Sequence, residues 1–483
     1  MNDLGAIAGL AVTWATGILL VRRWGRDRAW WLTASLGWLL GSGLTSLGLF
    51  LVFLLGGRLL PGLPIVQTLL LATAVGIQRP RRESVSQELD PPSGGRSSRD
   101  AVEGRRAPGI LQRLRPGVWL MAGVLALILA STALSSITTP ALRFDELHNW
   151  AFKALSTAVH DRPFQGEWPF MLFPNHIPFL TASFLGYQVE PRETVAHVIP
   201  LLFLFSTVGV MAGAARQLSG KPWWGLPMAV LLLFGAPELL NQADRFYCDL
   251  PLAALHLASL LTGLAWLDGG PAAAAALSGV FAGLGAWTKT EGLVLAGGVG
   301  GGLFLAALLR PKEERTPFWR PLLAWLAGFA IVAAPWPIYL QLRGVDMQSS
   351  GHLANTLHFD RIGRVVAYSW QVMKDAYRLP ALAFVLFLFL ALRRRTRAAY
   401  VFMLTVLAAG LVHLWLPILV LPEDAFGGWR AFMKHGMGRY VLHIAPVLLL
   451  SLAAVGRAGR LKGLDALFRR LDGSCPDPGG TKV

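Results

Sequence analysis

Apolar residues fall in runs of about 17 to 25 along this chain, separated by short polar breaks, and a helix of about 20 residues crosses a hydrocarbon core of about 30 Å. The runs predict thirteen transmembrane helices, at 5–21, 30–55, 59–77, 118–138, 196–214, 222–239, 249–267, 271–288, 292–309, 321–341, 379–392, 398–421 and 440–456. The run at 379–392 is short for a span and reaches both interfaces only if its flanking residues snorkel. Lipid offers no partners to backbone N–H and C=O groups, so runs of this length are expected as helices and the fold class as all-α, a polytopic membrane protein.

Composition agrees, with 54% of residues apolar and 15% charged. At 483 residues a soluble chain would suggest roughly three domains, a prior that fails when helices share lipid as their solvent. The 44 Lys and Arg against 28 Asp and Glu could suggest nucleic acid, but most of the basic residues sit in alternate loops. These are 22–28, 78–117, 215–222, 310–320, 393–397 and the tail from 457, and the positive-inside rule assigns them to the cytoplasm. No nucleic-acid partner is expected. Met1 to Leu4 lacks a basic n-region, so the first span reads as a retained anchor. Cys248 and Cys475 fall on opposite sides in this topology, which excludes a disulfide framework and a cysteine-based metal site.

The expected organisation follows. Residues 1–77 form three accessory transmembrane helices, and 78–117, rich in Arg, Ser, Pro and Gly without apolar periodicity, form a disordered cytoplasmic linker. A catalytic module spans 118–341 with an outer loop at 139–195; an outer loop and further spans occupy 342–456, and 457–483 is a cytoplasmic tail.

Polar chemistry concentrates on the outer side. None of the ten histidines lies in a cytoplasmic loop, and the stretch RFDELHNWAFKA places Asp145 and Glu146 just past a span. Residues 145–159 have the spacing of an amphipathic helix, so the pair could cap that helix or act on a ligand. Asp249 stands at the outer mouth of the seventh span, again as a cap or as a site residue. Lys289 lies in a three-residue turn between two spans, paired with Glu291 or held at the surface to meet a phosphate. Lys434, His435, Arg439 and Tyr440 precede the last span, a basic group against the topological trend. It serves either as an interfacial anchor or as a site for an anionic ligand.

FDELHNWAFKA, HIPFLTASFLG, YCDLPLAAL, WTKTEGLVLAGG and GRYVLHIAPVLLL, in this order over about 118–456, resemble the C-type (GT-C) integral membrane glycosyltransferases, especially protein O-mannosyltransferases and lipid A aminoarabinose transferase. The resemblance implies a seven-helix core within 118–341 and two amphipathic helices in the first outer loop. It also implies a polyprenyl-phosphate sugar donor, with transfer of a hexose or pentose and inversion at the anomeric carbon. The acidic loop residue of the family falls on Asp145, beside Glu146, and its HPPL-like element on His176-Ile177-Pro178-Phe179, where the pattern departs. Asp145 is then expected as general base toward an acceptor hydroxyl, with Lys289 and Arg439 at the donor phosphate and Asp249, His176 and Tyr440 orienting donor or acceptor. Asp145, Glu146 and Asp249 could ligate Mg²⁺ or Mn²⁺, although the loop has no DxD spacing. The acceptor is left open among glycan, lipid and protein. The expected location is a bacterial inner membrane, with membrane lipid around it and the site on the outer face.

A lipid or glycolipid transporter or flippase is the alternative. Transporters place ionisable groups near the midplane and carry internal repeats; here only His256 and His413 lie within spans away from the outer ends, and no repeat is visible.

Overall fold

A computed structural model describes residues 3–24, 29–78, 116–138, 150–161, 176–188, 193–309, 319–344, 357–391, 398–421, 428–457 and 461–472. The linker therefore lies almost wholly outside the described residues, as do Asp145 and Glu146. The chain opens with α1 (Asp3–Trp24), α2 (Trp30–Leu54) and α3 (Leu59–Gln78), and α4 (Pro116–Thr138) follows. Three short helices of the first loop come next: α5 (Phe152–His160), α6 (His176–Gly186) and α7 (Glu193–Ala196). The middle of the chain folds as α8 (Val198–Ser219), α9 (Gly225–Gly235), α10 (Glu238–Gln242), α11 (Asp249–Leu267), α12 (Ala272–Thr288), α13 (Gly292–Leu308), α14 (Trp319–Ala333) and α15 (Pro335–Leu342). The rest forms α16 (Ile362–Ala376), α17 (Arg378–Ala391), α18 (Ala398–Leu419), α19 (Trp429–Arg457) and α20 (Lys462–Asp472).

Every one of the thirteen apolar runs is helical. Among the described residues eight helices are long and apolar enough to cross a membrane; α14 and α15 make a ninth candidate, bent by 42°; and α9, α12, α13 and α17 are shorter apolar helices. The bend falls at Pro335, whose missing N–H and fixed φ end α14 and suit the start of α15. This is a multi-pass membrane protein.

Helices that are apolar all round divide into those buried in the bundle and those facing lipid. α11 is the axis, with 94% of its span buried among α8, α12, α13 and α19, whereas only 6% of the span in α4 is buried, leaving it on the lipid side. The helices of 1–77, expected as an accessory group, pack directly on this core. Trp287 Nε1 of α12 donates to Ser46 Oγ of α2 at 2.9 Å, and the Trp38 ring meets Phe203 edge-on.

α5 covers the described part of the amphipathic helix expected over 145–159, and residues 145–149 lie outside the described residues. Two expectations need correction. Of the two amphipathic helices implied for the first outer loop, α6 is not one: every side chain from His176 to Leu185 is buried, because α2, α5 and α12 enclose it. The helix that carries the last expected span, 440–456, starts well before it. α19 begins at Trp429, because Trp429, Met433, Met437 and Tyr440 recur at helical spacing and are all buried, a stripe that a hydropathy run overlooks among polar neighbours.

α11 and α19 also define the two ends of the bundle. Asp249 and Arg439 meet at one end; at the other, Arg457 Nη1 lies 3.2 Å from Asp268 Oδ1. From Arg439 to Arg457 the helix rises about 27 Å, close to the thickness of a hydrocarbon core. At this second end α20 docks by Asp465, whose Oδ1 accepts Trp223 Nε1 at 2.9 Å and Trp224 Nε1 at 3.1 Å and pairs with Lys221 Nζ at 2.9 Å.

Candidate active site

Asp249 is the first residue of α11, after an N-cap position held by Cys248 with no side-chain cap bond, so it does not serve as the cap. Its fully buried carboxylate accepts three donors. Lys289 Nζ lies 2.9 Å and His443 Nε2 2.8 Å from Oδ1, and Arg439 Nε lies 2.7 Å from Oδ2. A buried carboxylate is tolerated when cations and hydrogen bonds satisfy its lone pairs, as here.

The turn that carries Lys289 is built by backbone geometry. Lys289 leaves α12 in an extended conformation, its N–H donating to Gly285 O at 3.0 Å, and Gly292 N–H returns to Lys289 O at 2.8 Å to start α13. A Cβ at Gly292 would run into the Gly285 backbone, so glycine permits the tight return. Glu291 in the same turn places Oε1 3.1 Å from Lys289 Nζ and accepts Tyr440 OH at 3.3 Å, while the Lys289 ammonium sits 5.2 Å from the Tyr440 ring centre. Of the two readings offered for Lys289, the geometry shows the pairing with Glu291, joined by a second pairing with Asp249.

Charge balance governs what the cluster can do. Lys289 and Arg439 are matched by Asp249 and Glu291, so the site offers preorganised donors rather than an excess of positive charge. Burial would lower the Lys289 ammonium, but Asp249 and Glu291 outweigh it and raise its pKa, keeping the cation. Burial would raise Glu291, yet Lys289 holds its carboxyl below the usual range. Two of the three Lys289 donors are used by carboxylates, and its side chain is 8% exposed. Arg439 differs: its side chain is 26% exposed and its guanidinium lies 4.6 Å over the Tyr247 ring, so it is the cation that meets the outside of the cluster.

Sequence reading missed His443. It stands one turn beyond Arg439 on α19, inside an apolar run, and its Nδ1 lies 2.9 Å from His413 Nε2 of α18. Because a carboxylate only accepts, His443 Nε2 donates to Asp249, and His443 Nδ1 then accepts from His413. The signal available was the i, i+4 spacing of Arg439 and His443 within GRYVLH.

His176 lies elsewhere. Its Nδ1 is 2.7 Å from Thr288 Oγ1, whose own hydroxyl donates to Leu284 O at 2.7 Å, so the imidazole is the donor. Burial pushes His176 down to about 3, which keeps it neutral. It braces the residue before Lys289 and makes no hydrogen bond to Asp249. Lys434 and His435 are exposed on α19 and stand apart from the cluster. Lys153 of α5 is buried near Cys248, and burial pushes it down to about 7 against the opposing field of Cys248.

The described part of the site does not fit a divalent cation. Both oxygens of Asp249 are taken by cationic or N–H donors, and among the described residues no three His, Cys, Asp or Glu side chains group as ligands. Asp145 and Glu146, the other proposed ligands, lie outside the described residues.

No protein-family model matches the sequence, and no curated protein matches it. Among solved structures the chain is similar to ArnT from Cupriavidus metallidurans bound to undecaprenyl phosphate, with a TM-score of 0.50 and 14% identity over 73% of this chain and 64% of that one. The same protein in the apo state gives a TM-score of 0.49 and 17% identity over 72% and 63%. The chain thus spans slightly less than two thirds of the protein it matches. At this identity the likeness is one of fold, a polytopic bundle of apolar helices.

Proposed function

We propose that this protein is a membrane glycosyltransferase that moves a hexose or pentose from a polyprenyl-phosphate donor to a hydroxyl on a glycan, lipid or protein acceptor, at the outer face of a bacterial inner membrane. The observation that carries this reading is the position of Arg439. It is a part-exposed guanidinium, held by a buried carboxylate at one end of an apolar bundle, where a lipid-borne phosphate can approach from the bilayer. The fold is shared with a protein solved bound to undecaprenyl phosphate, which supports the same ligand class here. Sidedness follows from the distribution of Lys and Arg among the loops.

In the proposed reaction Asp145 takes the proton of the acceptor hydroxyl, the oxygen attacks the anomeric carbon, and the C1–O bond to the phosphate breaks with its electron pair leaving on the phosphate. A single displacement inverts the anomeric carbon. Arg439 receives the charge that develops on the departing phosphate, and Lys289 offers its remaining donor. Asp249, Glu291 and His443 hold these two cations in place. Fixed donors of this kind act in the transition state without reorganising, and loss of one commonly removes about 2.7 to 4 kcal/mol. No step is routed through a metal.

The test uses purified full-length protein in detergent, with polyprenyl-phosphate hexose and pentose donors and a simple acceptor, following release of polyprenyl phosphate by mass spectrometry. Turnover by wild type that Asp145→Asn abolishes and Arg439→Gln lowers by about 10²- to 10³-fold is expected. Absence of release from every donor, together with transbilayer movement of labelled donor in proteoliposomes, would overturn the reading in favour of a transporter.

A further inference from the structure

A second cavity system lies away from Asp249. A cavity of about 600 Å³ runs along α8 between α2 and α4, from Leu202 to Arg216, and apart from Arg216, Ser35 and Ser206 is lined by apolar side chains such as Leu129, Phe205 and Ala212. Along α8 that interval is about 21 Å, more than the ~15 Å hydrocarbon depth of one leaflet and enough for an extended acyl chain. At its far end the cavity shares Trp31, Arg216 and Pro222 with an adjoining cavity of about 410 Å³, which Lys221 also lines. Among the described residues no acidic side chain lines either one. The Arg216 guanidinium sits 5.8 Å from the centre of the Trp31 ring, and Trp30 beside it is 77% exposed, a level at which indole rings mark the membrane interface.

We infer that this groove binds an anionic phospholipid of the leaflet opposite the Asp249 end, one acyl chain lying along α8 and the phosphate headgroup meeting Arg216. Three features choose this occupant over a neutral lipid or a soluble anion. The long cavity is apolar and its volume falls within the range of about 300–1,000 Å³ typical of ligand pockets. The charged side chains that line its mouth among the described residues are Arg216 and Lys221, Arg216 being the leading charge because Lys221 already pairs with Asp465. The mouth lies at the interface and opens at the end of the bundle where α20 docks. The lipid ties α2 of the N-terminal group to α8 and α4, adding to the direct contact of α2 with α8. This site is independent of the sugar-transfer reading.

The experiment is native mass spectrometry of the full chain, delipidated in mild detergent and titrated with phosphatidylglycerol or with phosphatidylcholine of the same acyl chains. Phosphatidylglycerol should bind at the lower concentration. Arg216→Gln, a change at an exposed side chain that leaves the fold intact, should weaken it about fivefold and leave phosphatidylcholine unchanged. Ala212→Phe, which fills the groove, should weaken both. Inorganic phosphate should not compete. Equal binding of the two lipids by wild type, or unchanged phosphatidylglycerol binding by Arg216→Gln, would overturn the proposal. Competition by inorganic phosphate would overturn it as well, by assigning the mouth to a soluble anion.

Discussion

Arg439 and His443 stand one helical turn apart on α19 and bind different oxygens of the same Asp249 carboxylate, Nε on Oδ2 at 2.7 Å and Nε2 on Oδ1 at 2.8 Å. One helix thus grips the first residue of another from two sides, and the Lys289 turn supplies the third donor at 2.9 Å. The consequence is a rigid joint between α11, α12, α13 and α19 at the end of the bundle where chemistry is proposed.

Removing the shared acceptor should unsettle the whole joint. Asp249→Ala leaves two cations and an imidazole facing a buried gap, and breaking a buried pair from one side costs about 3–5 kcal/mol. Unfolding in detergent followed by denaturant should show that loss. Asp249→Asn with Arg439→Gln should lose less than the two single changes added together, because each removes the same bond. Additive losses would mean that the pair is not coupled.

Arg439 and Lys289 should separate in kinetics. Arg439→Gln should lower kcat of sugar transfer by about 10²- to 10³-fold. Arg439→Lys should recover only part of it, since an ammonium cannot reproduce a planar fork that bonds Asp249 and, in the proposed reaction, would meet the phosphate as well. Lys289→Met should reduce stability as well as rate, because Asp249 and Glu291 would both lose a partner. Full activity in Arg439→Gln would remove the phosphate role.

The imidazole pair is ordered by direction. His443→Phe should impair transfer because Asp249 loses a donor, a change of about 1–3 kcal/mol for a buried polar group left unmatched. His413→Phe keeps that donor and removes only the outer link, so its rate should stay within about tenfold of wild type. A larger loss in His413→Phe than in His443→Phe would reverse the hierarchy.

Acid should act through Glu291. Its folded pKa is held below the ordinary carboxylate value of about 4.3, so its stabilisation is complete above that value and is lost as pH falls through the folded one. The difference in thermal stability between wild type and Glu291→Gln should therefore be constant from about pH 8 to 5.5 and should shrink below about pH 4. A difference that shrank between pH 8 and 6 would point to another group.

The sequence by itself determined the class of protein, the number of apolar helices and the residues at their ends. Run length and backbone satisfaction in lipid are local properties that need no tertiary partner. For the same reason Asp249 and Lys289 could be chosen from their places at helix ends, and Arg439 and Tyr440 from their place at the start of an apolar run. His443 could not, because an imidazole inside an apolar run looks like core until something polar is brought against it. The start of α19 was hidden too, since its buried stripe of Trp429, Met433 and Met437 is interleaved with Arg430, Lys434 and His435. Only the tertiary structure decided that side chains from 249, 289, 291, 439 and 443 converge, and that two cations there are balanced by two carboxylates. Charge in a buried site is set by which groups meet across the bundle, and α11, α12, α13 and α19 bring theirs together by packing, over separations that no pattern along the chain records.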